Sequence, residues 1–240
     1  MKPKAVILDI YRTVLDVGLA PEDAERQWSV LWGERFGGGA VPRLSLAEFR
    51  MAAESVVASE HAVARAVGIT YPEVVWMEVM RTVLPEMARL DAAGQADLAF
   101  RHAGLGHSVR LMPGSATVLR SLRHHNLQLG IASNAQPYTL RELDEAFAGT
   151  DLERAWFDPA LCFWSFEHGF SKPDPHVFRL LTARLRGRGV APDETLMVGD
   201  RADNDIEPAR AQGWQTWRMG DGDGRSGGGW GQLASFLGLR

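Results

Sequence analysis

The sequence predicts an α/β fold built on a doubly wound parallel sheet, with an all-helical segment inserted into it. Three observations carry this expectation. Short apolar runs recur along the chain and end on Asp, Ser, Asn or Gly, as buried parallel strands do. Patterns of helical period separate the later runs, an alternation that lays strands side by side with helices on both faces. From about residue 17 to about residue 108 the alternation stops, and one helical pattern follows another.

The elements follow in order. Ala5-Val6-Ile7-Leu8 centres a strand over residues 4–9 that ends on Asp9. Pro21-Glu22 opens a helix that runs to Phe36, where Gly37-Gly38-Gly39 stops it. Ser45-Leu46-Ala47-Glu48 is a capping box that starts a second helix, and Tyr71-Pro72-Glu73 starts a third running to about Leu84. A fourth covers residues 92–103. These helices define an inserted domain over 17–108, and 1–16 with 109–240 make the α/β core. Trp28, Trp32, Trp76 and Phe49 fall at helical spacing and read as the insert's own packing.

Beyond the insert, helices over 114–124, 138–148, 174–187 and 205–212 alternate with strands over 127–132, about 160–165, 195–199 and about 214–218. Residues 220–229 are mostly glycine with Asp and Ser, which reads as a mobile loop. Their spacing lacks the distal glutamate of a calcium loop.

Composition narrows the function. The 240 residues are 45% apolar and 23% charged, as in ordinary globular chains. A net charge of −4 without a long cationic run argues against nucleic acid as a partner. Cys162 is the only cysteine, which excludes an internal disulfide and a thiolate-rich metal site. The apolar run after Met1-Lys2-Pro3-Lys4 is too short for a signal peptide or a membrane span, so the expected setting is cytoplasmic.

Four polar groups fall at the carboxyl ends of separate strands, where open parallel sheets bind ligands. They are Asp9 with Thr13, then Ser133-Asn134, then Lys172 within Ser171-Lys172-Pro173-Asp174-Pro175, and finally Gly199-Asp200-Arg201-Ala202-Asp203-Asn204-Asp205. Each alone reads as a turn, a cap or a solvated charge. In this order, each after a strand, they make a nucleophile, an anion-binding hydroxyl and amide, a lysine and an acidic loop.

With these motifs and the helical insertion, the chain resembles the haloacid dehalogenase-like (HAD) hydrolase superfamily, in its helical-cap form. The resemblance implies that Asp9 is the nucleophile forming a covalent aspartyl intermediate, and that Ser133 and Asn134 hold the anionic group. It makes Lys172 the charge-stabilising lysine. Asp9, the Tyr11 carbonyl and Asp200 become ligands of Mg²⁺, with Asp205 the supporting carboxylate and Asp203 a weaker candidate. The chemistry is coherent. A carboxylate attacking an anionic group needs positive charge beside it, and hard oxygen ligands next to phosphate suit Mg²⁺.

Tyr11 is the departure. Phosphatases of the family carry a second aspartate at that position, as general acid and base, whereas Asp-x-Tyr resembles the 2-haloacid dehalogenases, whose halide leaves without a proton. Those enzymes work without metal, so Asp200 would repel their carboxylate substrate. They also use an arginine early in the cap, for which Arg35 and Arg26 are the candidates. Arg12 stands where both groups usually have glycine. The leading reading is a Mg²⁺-dependent hydrolase of a small phosphorylated metabolite. A 2-haloacid dehalogenase and a weakly active or non-catalytic binding protein of the same fold are the alternatives.

Overall fold

The computed structural model describes residues 2–222 and 224–239. The strands are β1 (Ala5–Leu8), β2 (Leu15–Gly18), β3 (Ser108–Leu111), β4 (Gln128–Ser133), β5 (Cys162–Trp164), β6 (Thr195–Gly199), β7 (Gln215–Met219) and β8 (Gly227–Gly228). The α-helices are α1 (Ala24–Phe36), α2 (Leu46–Ala66), α3 (Trp76–Val83), α4 (Ala92–Ala103), α5 (Ser115–His124), α6 (Pro137–Phe147), α7 (Pro175–Arg186), α8 (Glu207–Ala211) and α9 (Trp230–Leu237). Six strands form one parallel sheet in the order β5-β4-β1-β6-β7-β8. The doubly wound α/β core that the sequence predicts is therefore present.

Period-two alternation along β1 explains its central place. Val6 and Leu8 join one apolar layer, which includes Leu119 and Leu122 of α5 and Leu143 of α6, while Ala5 and Ile7 join another against Val177, Phe178 and Leu181 of α7. All four β1 side chains are fully buried, so the strand has no polar face. A third apolar cluster lies within the helices of residues 24–103 and holds Trp28, Trp32 and Phe49, with Trp76 packed against it. Among the described residues no helix is long and apolar enough to cross a membrane.

Three local readings change. The interval 17–108 reads as strandless, yet β2 and β3 pair antiparallel at its two ends, Leu15 opposite Leu111 and Gly18 opposite Ser108. Each strand is four residues long and carries little periodicity of its own. The third helix begins at Trp76 and not at Tyr71, because the preceding backbone bonds elsewhere. Ser171 N–H donates to the Tyr71 carbonyl, Glu73 N–H to the Gly169 carbonyl, and Pro72 bridges Phe170. Within the glycine-rich stretch, Gly227 and Gly228 pair with Arg218 and Met219. A Cβ on Gly227 would stand 2.8 Å from the Arg218 carbonyl oxygen, so this edge needs glycine. Asp223 lies outside the described residues.

One histidine makes the helical layer sensitive to pH. His102 of α4 is buried against the rings of Trp28, Phe49 and Trp76, and neither ring nitrogen has a hydrogen-bond partner. Burial, helped by the nearby charge of Arg50, lowers its pKa to about 4. Above the unfolded value both states are neutral and nothing is lost. As pH falls below it, the unfolded chain takes a proton that the folded one refuses, so stability declines until the folded pKa is passed. Urea unfolding should therefore show about 2 kcal/mol lost to this group between pH 7.5 and pH 5. His102→Leu should remove that component, and an identical pH slope in the variant would refute it.

Candidate active site

Strand order places the candidate residues together. β1 lies between β4 and β6, so the loops leaving these three carboxyl ends are neighbours at the point where the chain reverses its direction of winding. Asp9 follows β1 and its N–H donates to the Val198 carbonyl at 2.9 Å. Ser133 ends β4, with Asn134 next, and Asp200 follows β6. Lys172 enters from the loop between β5 and α7. Asp9, Asn134, Lys172, Asp200 and Asp205, with Tyr11, Arg12, Arg201 and Asn204, line one cavity of about 390 Å³.

Lys172 is the electrostatic centre. Its Nζ donates to Asp9 Oδ1 at 2.8 Å and to Asp205 Oδ1 at 2.5 Å, and all three side chains are buried. Its backbone is clamped by Asn134, whose Nδ2 donates to the Lys172 carbonyl at 2.8 Å while its Oδ1 accepts the Lys172 N–H at 2.7 Å. Burial works to lower the lysine's pKa, but the two carboxylates outweigh it and the net shift is upward. Asp9 is shifted upward as well, but here burial is what prevails. Burial raises its carboxyl to about 6, against the pull of Lys172 and with a push from Asp205.

Asp205 is positioned by backbone geometry. One turn of π-helix, Ala202–Ile206, leads into α8 and turns Asp205 inward, where Oδ2 accepts the Arg201 N–H at 3.0 Å. Gly199 leaves room for that carboxylate, since a Cβ there would lie 2.4 Å from Asp205 Oδ2. Asp203 points away and pairs with Arg201 at the surface.

Asp9, Asp200 and Asp205 each offer an oxygen, all within 4.8 Å of one another. Asp200 is shifted upward by burial first and by Asp205 second, against the weaker pulls of Lys172 and Arg12, and the three carboxylates outnumber the one ammonium bonded among them. Three hard oxygen donors in excess of the local positive charge fit a divalent cation such as Mg²⁺. Thr13 and Ser133 are fully buried and not among the residues lining the cavity, and their hydroxyls have no hydrogen-bond partner among the described residues. An unsatisfied hydroxyl costs about 1–3 kcal/mol, which an anion reaching it would recover.

The Tyr11 phenol is committed elsewhere. It donates to Glu142 Oε2 at 2.5 Å, and the Thr139 hydroxyl lies 2.7 Å from the phenolic oxygen. Glu142 Oε1 in turn meets His107 Nε2 at 2.9 Å. Burial, then the Glu142 charge, push the phenol far above its ordinary pKa. A phenol held this way neither gives nor takes a proton near neutral pH. Next to it Arg12 has φ 58°, the left-handed region, which costs a residue with a Cβ about 1–2 kcal/mol.

Other candidates are not brought to the cavity. Arg35 pairs with Asp97 inside the helical layer and Arg26 with Asp23 at its surface. Trp28 is core, and Tyr71 is half-exposed. Sequence reasoning overlooked Glu142 and Thr139. They occupy buried positions on the face of α6 that carries Leu143 and Phe147, and a polar pair on an apolar stripe was the available signal. It also overlooked Gln136 and Glu73. The Gln136 side chain accepts the Trp76 N–H at 2.7 Å and donates to the Val74 carbonyl at 2.8 Å, while Glu73 accepts the Ser165 hydroxyl at 2.7 Å. Residues 71–76 are thus strapped to the loops that carry Asn134 and Lys172.

A family model described as haloacid dehalogenase-like hydrolase matches residues 3–213. A phosphoserine phosphatase from Thermus thermophilus is 34% identical over 103 residues, which are 43% of this chain and 38% of that protein, so well under half of the relative is spanned. Among solved structures, a 2-haloacid dehalogenase from Pseudomonas syringae pv. Tomato aligns with a TM-score of 0.58 at 24% identity, covering 98% of each chain. A HAD phosphatase from Thermococcus onnurineus aligns with a TM-score of 0.56 at 19% identity, covering 99% of each. At such identities both speak for the fold alone.

Proposed function

The chain belongs to the haloacid dehalogenase-like hydrolase family, and within it we propose a Mg²⁺-dependent phosphohydrolase that acts on a small phosphorylated metabolite through a covalent intermediate at Asp9. The observation that carries this reading is the set of three carboxylates gathered around a single ammonium group. A metal-free site with that surplus of negative charge would repel the carboxylate of a haloacid. Asp9, Asp200 and the Tyr11 carbonyl would hold Mg²⁺, with Asp205 in support, and the ion supplies charge neutralisation at the phosphoryl oxygens.

The chain's own residues divide the remaining work. Asp9 attacks phosphorus, the ester P–O bond breaks, and water later hydrolyses the acyl phosphate to free Asp9 and phosphate. Lys172 holds Asp9 in place and faces the charge that develops on the transferred group. The hydroxyls of Ser133 and Thr13, without a partner among the described residues, are donors the anion would recruit, while Asn134 acts by clamping the Lys172 backbone. The helices of 17–108 serve as a cap, held at residues 71–76. Because Tyr11 is tied to Glu142, the leaving oxygen draws its proton from solvent, and aryl phosphates should outpace alkyl phosphates.

The test is phosphate release with and without EDTA. Loss of release on chelation, and its return with Mg²⁺, is the expected result, and turnover indifferent to metal would overturn the reading. Tyr11 favours a second reading, the 2-haloacid dehalogenase, for which halide release from 2-chloropropionate in EDTA is decisive. Tyr11→Asp should raise alkyl phosphate turnover by about 10-fold or more, since general acid catalysis is worth roughly 10²–10⁴. No gain would favour dehalogenation or a binding role.

A further inference from the structure

Resting on the phosphohydrolase reading, we infer that Arg12 forms a second anion subsite, so that the substrate is a phosphorylated metabolite carrying another negative group, a carboxylate or a second phosphate, beside the one transferred. Three cationic side chains line the cavity, and two are occupied. Lys172 is held by Asp9 and Asp205, and the Arg201 guanidinium grips Asp203 at 2.6 and 3.1 Å. Arg12 is exposed on the cavity wall, and among the described residues its guanidinium has no hydrogen-bond or ion-pair partner, although its charge acts weakly on Asp200.

Its backbone makes the placement specific. The turn after Asp9 is closed by three N–H groups, those of Thr13, Val14 and Leu15, on the Ile10 carbonyl, and by the Arg12 N–H on the Leu15 carbonyl at 2.6 Å. That closure holds residue 12 at φ 58°, a conformation glycine adopts freely and arginine does not. An arginine kept at a strained position, lining the site and unpaired, is accounted for by a ligand that it meets. A guanidinium matches carboxylate and phosphate in a fork of two hydrogen bonds. The cavity, at about 390 Å³, has room for more than one phosphoryl group. With a divalent cation taking up the charge of Asp200, Arg12 is left as the cation available to a second anion.

Non-hydrolysable probes separate binding from turnover. Calorimetric titration in Mg²⁺ would compare propylphosphonate, 3-phosphonopropionate and propane-1,3-diphosphonate on the wild type, Arg12→Gly and Arg12→Lys. Wild type should bind at least one of the two doubly anionic probes about 10-fold more tightly than propylphosphonate, and the tighter of them identifies the second anion. Arg12→Gly should reduce that ratio to about one, and Arg12→Lys should restore part of it. Arg12→Gly should unfold at no lower temperature than the wild type, because glycine relieves the left-handed turn. A ratio retained in Arg12→Gly, or absent from the wild type while propylphosphonate binds, overturns the subsite and leaves the phosphohydrolase reading standing. Equal weakening of all three probes means that Arg12 only offsets Asp200, and also overturns it. Failure of every probe to bind the wild type overturns the phosphohydrolase reading together with the subsite.

Discussion

Asp9→Asn is expected to abolish phosphate release, by a factor of about 10⁴ or more, while the protein folds normally. The amide has the shape of the carboxylate but neither its charge nor its nucleophilicity, and no other carboxylate can take its place. Asp205 is fixed by Lys172 and by the Arg201 N–H, and Asp200 sits beyond the end of the neighbouring strand. Stability should move in the opposite sense to activity. Burial is the largest influence on Asp9 and raises its carboxyl to about 6, which means that the folded chain bears a cost to keep it ionised at neutral pH. The asparagine variant should therefore unfold at a temperature equal to or above that of the wild type, as at other sites where function is bought with stability. Residual turnover within 100-fold of the wild type would remove Asp9 from the role of nucleophile.

Lys172→Met should be damaging in both respects. Among the described residues the lysine is the one hydrogen-bonded counter-charge of two buried carboxylates, and removing one partner of a buried ion pair costs about 3–5 kcal/mol. Urea unfolding at pH 7.5 should show a loss of this order, and phosphate release should fall by about 10²–10³ for want of charge opposite the transferred group. The sign of the pH dependence gives a further check. Burial raises the Asp9 carboxyl to about 6 even against the pull of Lys172, so without the ammonium Asp9 contributes more instability while ionised and less once protonated. The gap between variant and wild type should narrow as pH falls from 7.5 towards 5, and added Mg²⁺ should narrow it at neutral pH. A gap independent of pH and metal would mean that methionine merely packs badly.

Much of this site is legible along the chain, because each part depends on residue type at the end of a buried run. Asp9, Ser133-Asn134, Lys172 and Asp200 each follow an apolar segment, and parallel strands bring such ends to one edge of the sheet. The capping box at Ser45 and Glu48 forms as its spacing predicts, with Ser45 Oγ accepting the Glu48 N–H and the Glu48 carboxylate accepting the Ser45 N–H. What escapes sequence reading is of another kind. Tyr71-Pro72-Glu73 looks like a helix start, and its neighbours Ser165, Gly169 and Ser171, about a hundred residues away, claim its hydrogen-bonding groups instead. Arg35 looks like a ligand for an anion, and Asp97 of α4 takes it first.

Tyr11 and Arg12 divide the two levels most sharply. The sequence by itself determines that residue 11 lacks the acid of a phosphatase and that residue 12 is not glycine, because covalent identity needs no context. It also determines the sheet, since the alternation of apolar runs and helical periods is local and repeated. Only the tertiary structure decides where those two side chains go. Glu142, Thr139 and His107 come from α6 and from the segment before β3, and they converge on the phenol because burial makes an unpaired hydroxyl or carboxylate costly. Arg12, one residue further on, has a left-handed backbone and lines the cavity, because the backbone hydrogen bonds of residues 12–15 hold the turn that carries it.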